Sequence, residues 1–250
     1  MKKATTNKVA IVTGGGSGIG FAIARKFIEN NIQTIIIGRD IRKLNLAKKK
    51  LGSLCDTFQF DLTKLSEIPG LVRKIIKRFG TIDILVNNAG INLKKEFEDV
   101  TDQDFEQILL TNVTAVFALS REVARCMLEK KKGSIINISS MASQYGIPKV
   151  VAYSASKSAI EGMTRAMAVD LSPSGIRVNC IAPGFIETEM SAKALNNDKD
   201  RMRKVLSRTP IGKLGSGDDI GDAALYLALD TAKYITGVVL PVDGGNSIGF

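Results

Sequence analysis

A run of β-branched and apolar residues, Val9 to Thr13, ends in Thr13-Gly14-Gly15-Gly16-Ser17-Gly18-Ile19-Gly20, and apolar residues then return at helical spacing through Ala22, Ile23 and Phe27. No other feature of the chain narrows its fold as much. A short apolar run is a buried strand, and the later spacing is one face of a helix. Between them lies a turn of unusual freedom. Glycine permits a tight turn and lets a diphosphate approach the main chain, while the helix start offers unpaired N–H groups and partial positive charge. Gly14, Gly18 and Gly20 carry the spacing G-x-x-x-G-x-G, with Ser17 and Ile19 in the same turn. A glycine cluster alone also suits an ordinary turn; the strand before and the helix after favour dinucleotide binding.

The same alternation runs through the chain. Strands are expected at 9–13, 33–38, 57–60, 82–86, 134–138, 176–181 and 237–242. Helices are expected at 19–29, 42–51, 67–79, 104–130 (with Thr101 as N-cap) and 153–171. Strands alternating with helices predict an α/β fold with one parallel sheet of about seven strands covered on both faces. Right-handed crossovers make it doubly wound and Rossmann-like, with ligands beyond the carboxyl ends of the strands. No linker interrupts the pattern, so residues 1–250 read as a single dinucleotide-binding and catalytic domain.

Composition removes several functions. Histidine is absent from all 250 residues, which excludes Ser-His-Asp hydrolysis, His-ligated zinc and imidazole bases. Acid–base work falls to Tyr, Lys, Asp, Glu or Cys. Three scattered cysteines, Cys55, Cys126 and Cys180, form no CxxC pair and suggest neither a disulfide framework nor a metal site. A reducing cytoplasm fits. No segment approaches the ~20 apolar residues of a membrane span, and the apolar run near the start is too short for a signal peptide. The net charge of +10 is dispersed, and Lys48 to Lys50 and Lys130 to Lys132 fall at expected helix ends, where cations complement the dipole. With aromatics at 6% and no Trp, no nucleic-acid-binding patch is expected.

Candidate site residues gather at the strand ends. Gly38 stands where an NAD-binding carboxylate is usual, and Arg39 could pair with a 2′-phosphate, tilting the cofactor toward NADP(H) over NAD(H). Asp40 could instead reach the ribose, or simply cap the next helix. Tyr153 and Lys157 form Y-x-x-x-K, one turn apart on one helix face. A phenol's ordinary pKa of about 10 is too high for a base near neutrality, and an adjacent ammonium favours the phenolate. Ser139 and Ser140 end the fifth strand, Asn87-Asn88-Ala89-Gly90 the fourth, and Pro183-Gly184 the sixth; Asn112 sits inside a helix, where Asn is unfavourable unless its amide is engaged.

Taken in order, TGGGSGIG (13–20), DL (61–62), NNAG (87–90), Asn112, ISS (138–140), YSASK (153–157), PGFIET (183–188) and VDGG (242–245) make the chain resemble the short-chain dehydrogenases/reductases over essentially its whole length. The resemblance implies that Tyr153 is the general acid–base and that Ser140, by its interval to Tyr153, rather than Ser139, holds the substrate oxygen. It implies that Lys157 favours the phenolate and holds the nicotinamide ribose, and that Asn112 organises a water leading to solvent. Asp61 and Leu62 would flank the adenine, Asn88, Ala89 and Gly90 the adenine ribose. Ile186 and Thr188, beyond Pro183 and Gly184, would hold the carboxamide and phosphates. Residues at about 185–212 would form a substrate lid. The reaction implied is ketone–alcohol interconversion, with hydride passing between nicotinamide and carbonyl carbon and Tyr153 moving the proton.

Two substrate classes compete. A 3-oxoacyl-(acyl-carrier-protein) reductase is suggested by PGFIETEM and GIRVN. Lys131 falls at one carrier-docking position, but Ser174, at the second, is not basic. A sugar-acid or polyol dehydrogenase, of the gluconate 5-dehydrogenase or glucose dehydrogenase kind, is suggested by Lys94 and Lys95, which could meet a carboxylate. A non-catalytic dinucleotide-binding regulator is the reading from another class. The resemblance further implies a homotetramer packed through the two long helices.

Overall fold

The computed structural model describes residues 8–188 and 199–249. Strands β1 (Val9–Thr13), β2 (Gln33–Gly38), β3 (Cys55–Gln59), β4 (Ile84–Asn87), β5 (Gly133–Ile138), β6 (Ile176–Pro183) and β7 (Val239–Val242) form one sheet in the order β3-β2-β1-β4-β5-β6-β7. Every neighbouring pair is parallel. Helices α1 (Gly18–Glu29), α2 (Ile41–Leu51), α3 (Ile68–Phe79), α4 (Asp102–Leu109), α5 (Ala115–Lys130), α6 (Val151–Leu171), α7 (Lys199–Ser207) and α8 (Gly217–Ala228) complete it. The expected seven-stranded, doubly wound sheet is therefore present.

Strand periodicity sorts the core into two layers. Ala10, Val12, Ile36, Val86 and Ile136 face one side and pack with Ile23 and Phe27 of α1, Leu44 of α2 and Ile220 and Leu227 of α8. Val9, Ile11, Ile35, Ile37, Leu85 and Ile135 face the other and pack with Ile75 of α3 and Leu119 and Met127 of α5. All these residues are buried because both faces of a parallel sheet are covered.

Three expectations need correction, and one helix was not expected. The helix expected over 104–130 starts at Asp102, directly after its N-cap Thr101, which forms a capping box with Asp104, and is interrupted by a π-helical turn at Leu110–Thr114. The third strand begins at Cys55, not at 57. Asp56 disfavours a strand by propensity, yet it pairs with Ile35 across the ladder and its carboxylate meets Lys48 at 3.1 Å and Arg78 at 2.7 Å. The seventh strand starts at Val239, after Gly237 turns the chain at φ +74°. Helix α8 went unforeseen, although Ser216 and Asp219 form a capping box before its apolar face.

Of the expected lid, residues 189–198 lie outside the described residues; 199–207 are helical. No helix among the described residues is long and apolar enough to cross a membrane.

Phe27 is fully buried between α1 and the sheet. Phe27→Ala is expected to cost about 3–5 kcal/mol, read as a lower urea midpoint at unchanged slope.

Candidate active site

A cleft of about 660 Å³ opens beyond the carboxyl ends of the strands, where β1 is flanked by β2 on one side and β4 on the other. It gathers most of the residues singled out from the sequence.

Its floor is the glycine turn. Gly14 adopts φ +67°, and its N–H donates to the Ile37 carbonyl at 2.7 Å, which pulls the turn over the end of β2. At Gly20 a Cβ would lie 2.4 Å from the Gly14 carbonyl oxygen, so only glycine lets α1 start this close to β1. Ser17 is the N-cap of α1 but makes no side-chain cap bond. Gly14, Ser17, Gly18 and Ile19 therefore line a cleft into which the helix start presents its polarity. This cradle fits a diphosphate. Asn88 braces it, donating from Nδ2 to the Thr13 carbonyl at 2.9 Å, while the Thr13 hydroxyl accepts from the Asn88 and Ala89 amides.

One end of the cleft is lined by Gly38, Arg39, Lys43, Asp61, Leu62 and Thr63. Asp40 does not line it. Its carboxylate caps α2, accepting from the Arg42 and Lys43 amides at 2.9 and 3.3 Å. These bonds, the Lys43 amide first, hold it below the usual carboxylate range. Asp61 turns inward to accept the Thr63 amide and hydroxyl at 3.0 and 2.8 Å, and the Thr63 amide chiefly lowers its pKa. Arg39 and Lys43 thus flank this end. Lys43 was missed in the sequence. Its signal is a cation in the first turn of α2, where the dipole disfavours positive charge and no acidic residue stands.

The other end holds Ser140, Tyr153 and Lys157, with Asn92 and Thr111, which the sequence reading did not single out. Lys157 is 5% exposed, donates to the Ile138 carbonyl at 2.9 Å, and lies 5.5 Å from the Tyr153 ring centroid. The two serines separate clearly. The Ser139 hydroxyl is turned away to Glu161 at 2.9 Å. The Ser140 hydroxyl accepts the Ala142 amide at 3.1 Å.

Gly20, Asn112 and Ile186 stand behind the cleft wall, whereas Asn88, Ala89, Gly90, Pro183, Gly184 and Thr188 are on it. Asn112 is 1% exposed. Its Oδ1 accepts the Ile91 amide, and its Nδ2 donates to the Ile91 carbonyl and to Ser156 Oγ, at 2.9, 2.9 and 3.1 Å. Ser156 in turn donates to the Tyr153 carbonyl at 2.7 Å. The π turn makes room for this amide, tying the chain beyond β4 to α6. Ile186 bridges to Gly215. Lys94 and Lys95 do not line the cleft; Lys95 is held by Asp104 at 2.8 Å, which chiefly accounts for the Asp104 pKa falling to about 2. Among the described residues no His/Cys/Asp/Glu cluster could hold a metal.

Comparison with known proteins agrees with this geometry. Residues 14–247 match a family described as enoyl-(acyl carrier protein) reductase. A 3α-hydroxysteroid dehydrogenase of Mediterraneibacter gnavus is 39% identical over 95% of this chain and 96% of its own. A 3-oxoacyl-(acyl-carrier-protein) reductase of Chlamydia muridarum is 37% identical over 98% and 99%. The crystal structure of an Agrobacterium tumefaciens protein provisionally assigned as a gluconate dehydrogenase superposes with a TM-score of 0.95, at 29% identity over 99% of both chains.

A Cβ at position 20 would collide with the Gly14 carbonyl and with the Asn88 side-chain amide that braces the turn. Gly20→Val is expected to weaken binding of reduced nicotinamide dinucleotides, NADH and NADPH alike, at least ~10-fold in fluorescence titration, about 1.4 kcal/mol, while far-UV circular dichroism stays native.

Proposed function

From the premise that this chain belongs to the short-chain dehydrogenase/reductase family of oxidoreductases, we propose that it is an NADPH-dependent reductase of a neutral ketone, 3-oxoacyl thioesters being the first candidates. The observation that carries the substrate class is charge. The only cations lining the cleft among the described residues are Arg39 and Lys43 at one end and Lys157 beside Tyr153. Among the described residues, no further cation lines the Tyr153 end to meet a sugar-acid carboxylate, and Lys95 is paired with Asp104.

The nicotinamide dinucleotide, when bound, supplies the hydride. Ser140 holds the carbonyl oxygen by its hydroxyl and steadies the charge that grows there. Tyr153 gives that oxygen its proton. Lys157, anchored on the Ile138 carbonyl, brings positive charge to the phenol and holds ribose hydroxyls. Asn112 fixes α6 through Ser156 and would organise a water linking Lys157 to solvent. A dianionic 2′-phosphate would answer Arg39 and Lys43, while Asp40 is committed to its cap and Asp61 is held by the Thr63 amide and hydroxyl.

A carrier-borne substrate is supported by Lys131, exposed at the end of α5. Gly175, next to Ser174, packs against the Lys131 backbone, so the two docking positions adjoin. The gluconate reading is supported by the TM-score of 0.95 and by the likeness to sugar-acid reductases. Exposed Phe117 on α5 and Val169 on α6 suit a homotetramer built through these helices, and three buried free cysteines suit the cytoplasm.

Tyr153→Phe is expected to lower kcat by about 10²–10⁴ with NADPH affinity kept within twofold. A regulator without catalysis would show no turnover to lose. Acetoacetyl thioesters are expected to outrun keto-gluconates in a panel run with NADPH, and the reverse order moves the assignment to sugar acids. Replacing Arg39 and Lys43 together by Gln is expected to weaken NADPH, not NADH, in direct titration; equal losses for both would remove the NADPH preference. Light scattering is expected to report a mass of four chains.

A further inference from the structure

Tyr153, Lys157 and Glu161 stand at i, i+4 and i+8 of α6 and share one face. The first two have roles at the cleft. Glu161 does not line it, yet its Oε1 receives the Ser139 hydroxyl at 2.9 Å and also the Ser143 hydroxyl. The Ser143 hydroxyl lies against the Ser140 carbonyl as well. Ser139 precedes and Ser143 ends the short turn that Ser140 caps, so one carboxylate oxygen takes hold of both sides of Ser140.

The turn has its own bonds: the Ser143 amide donates to the Ser140 carbonyl at 3.0 Å and the Ala142 amide to Ser140 Oγ at 3.1 Å. Those bonds shape the turn but attach it to nothing. The Glu161 contacts, with a longer bond from the Ser158 hydroxyl to the Ser143 carbonyl at 3.4 Å, attach it to the helix that carries Tyr153 and Lys157. An ionised carboxylate only accepts, with room for two donors on one oxygen, and charge-assisted bonds are about twice as strong as neutral ones.

We propose that Glu161 is a positioning residue: its carboxylate clamps the Ser140 turn onto α6 and so sets the Ser140 hydroxyl against the Tyr153 phenol. The inference rests on the reading of Ser140 and Tyr153 as the pair that handles the substrate oxygen. Misplacing a catalytic group by about 1 Å can cost on the order of 10² in rate, so a clamp of this kind acts on kcat.

The test uses the full chain with Glu161→Ala, Glu161→Gln and Ser143→Ala. It reads hydrogen exchange of peptides across 139–145, NADPH titration, and kcat and KM on the best ketone of the panel. Glu161→Ala is expected to speed exchange at 143–145 at least ~10-fold, with peptides from β1 to β4 unchanged. It is expected to lower kcat about 10- to 100-fold, with NADPH affinity held within twofold. Glu161→Gln keeps one acceptor oxygen and is expected to recover most of kcat, with Ser143→Ala intermediate. Unchanged exchange or kcat in Glu161→Ala overturns the proposal, as does a Gln variant no better than Ala. Loss of NADPH binding with exchange rising everywhere also overturns it, because that is general destabilisation. If the wild-type chain reduces no ketone, the reductase reading fails by itself, and the exchange measurement still decides the clamp.

Discussion

The pairing of β4 alongside β1, with Ile11 opposite Leu85 and Val12 opposite Val86, is the contact on which the rest of the structure depends. It places a strand from later in the chain beside the first, with β2 on the other flank. Chain leaving β1 turns to one side and chain leaving β4 to the other, and the crevice between them is where a ligand can reach backbone. The Thr13 hydroxyl closes this junction by accepting two amides from the end of β4.

Beyond that junction, chemistry without histidine rests on a single helix. Helix α6 carries Tyr153 and Lys157 on one face, and its neighbours hold it from several directions. Ile138 receives the lysine ammonium, Asn112 reaches it through Ser156, and the Asn137 amide donates to Thr164. The Ile138 and Asn137 bonds join α6 to the end of β5, and the Asn112 bond joins it to the π turn between α4 and α5. Buried polar groups satisfied in this way specify one arrangement, because leaving any of them unpaired in a dry interior is costly.

The opposite end of the cleft is governed by charge. Helix α2 begins with Arg42 and Lys43 and has no acid in its first turn, an arrangement its own dipole opposes. The Asp40 cap offsets part of that cost by accepting two of the orphan amides. The same bonds withdraw Asp40 from the cleft, leaving Arg39 and Lys43 as the cations at this end, with Asp61 beside them.

Sequence alone determined the elements and the residue types at their ends. Periodicities of 2 and 3.6, the glycine turn and the Y-x-x-x-K spacing are local, and local spacing is set by backbone geometry that neighbouring residues share. Hence β1 and β2 stand where their apolar runs lie, and Gly14, Arg39, Ser140 and Tyr153 meet in one cleft. Asp56 shows the limit of that reading: a strand-breaking residue sits within β3 because Lys48 and Arg78, from two helices, neutralise it. The break at Leu110–Thr114, the commitment of Asp40 to its cap and of Lys95 to Asp104, and the hold of Glu161 on the Ser140 turn were decided by tertiary structure. Which of several possible partners a polar side chain takes depends on what packing brings within about 3 Å, and for residues such as Ser139 and Glu161 that is settled only when the sheet and helices close on each other.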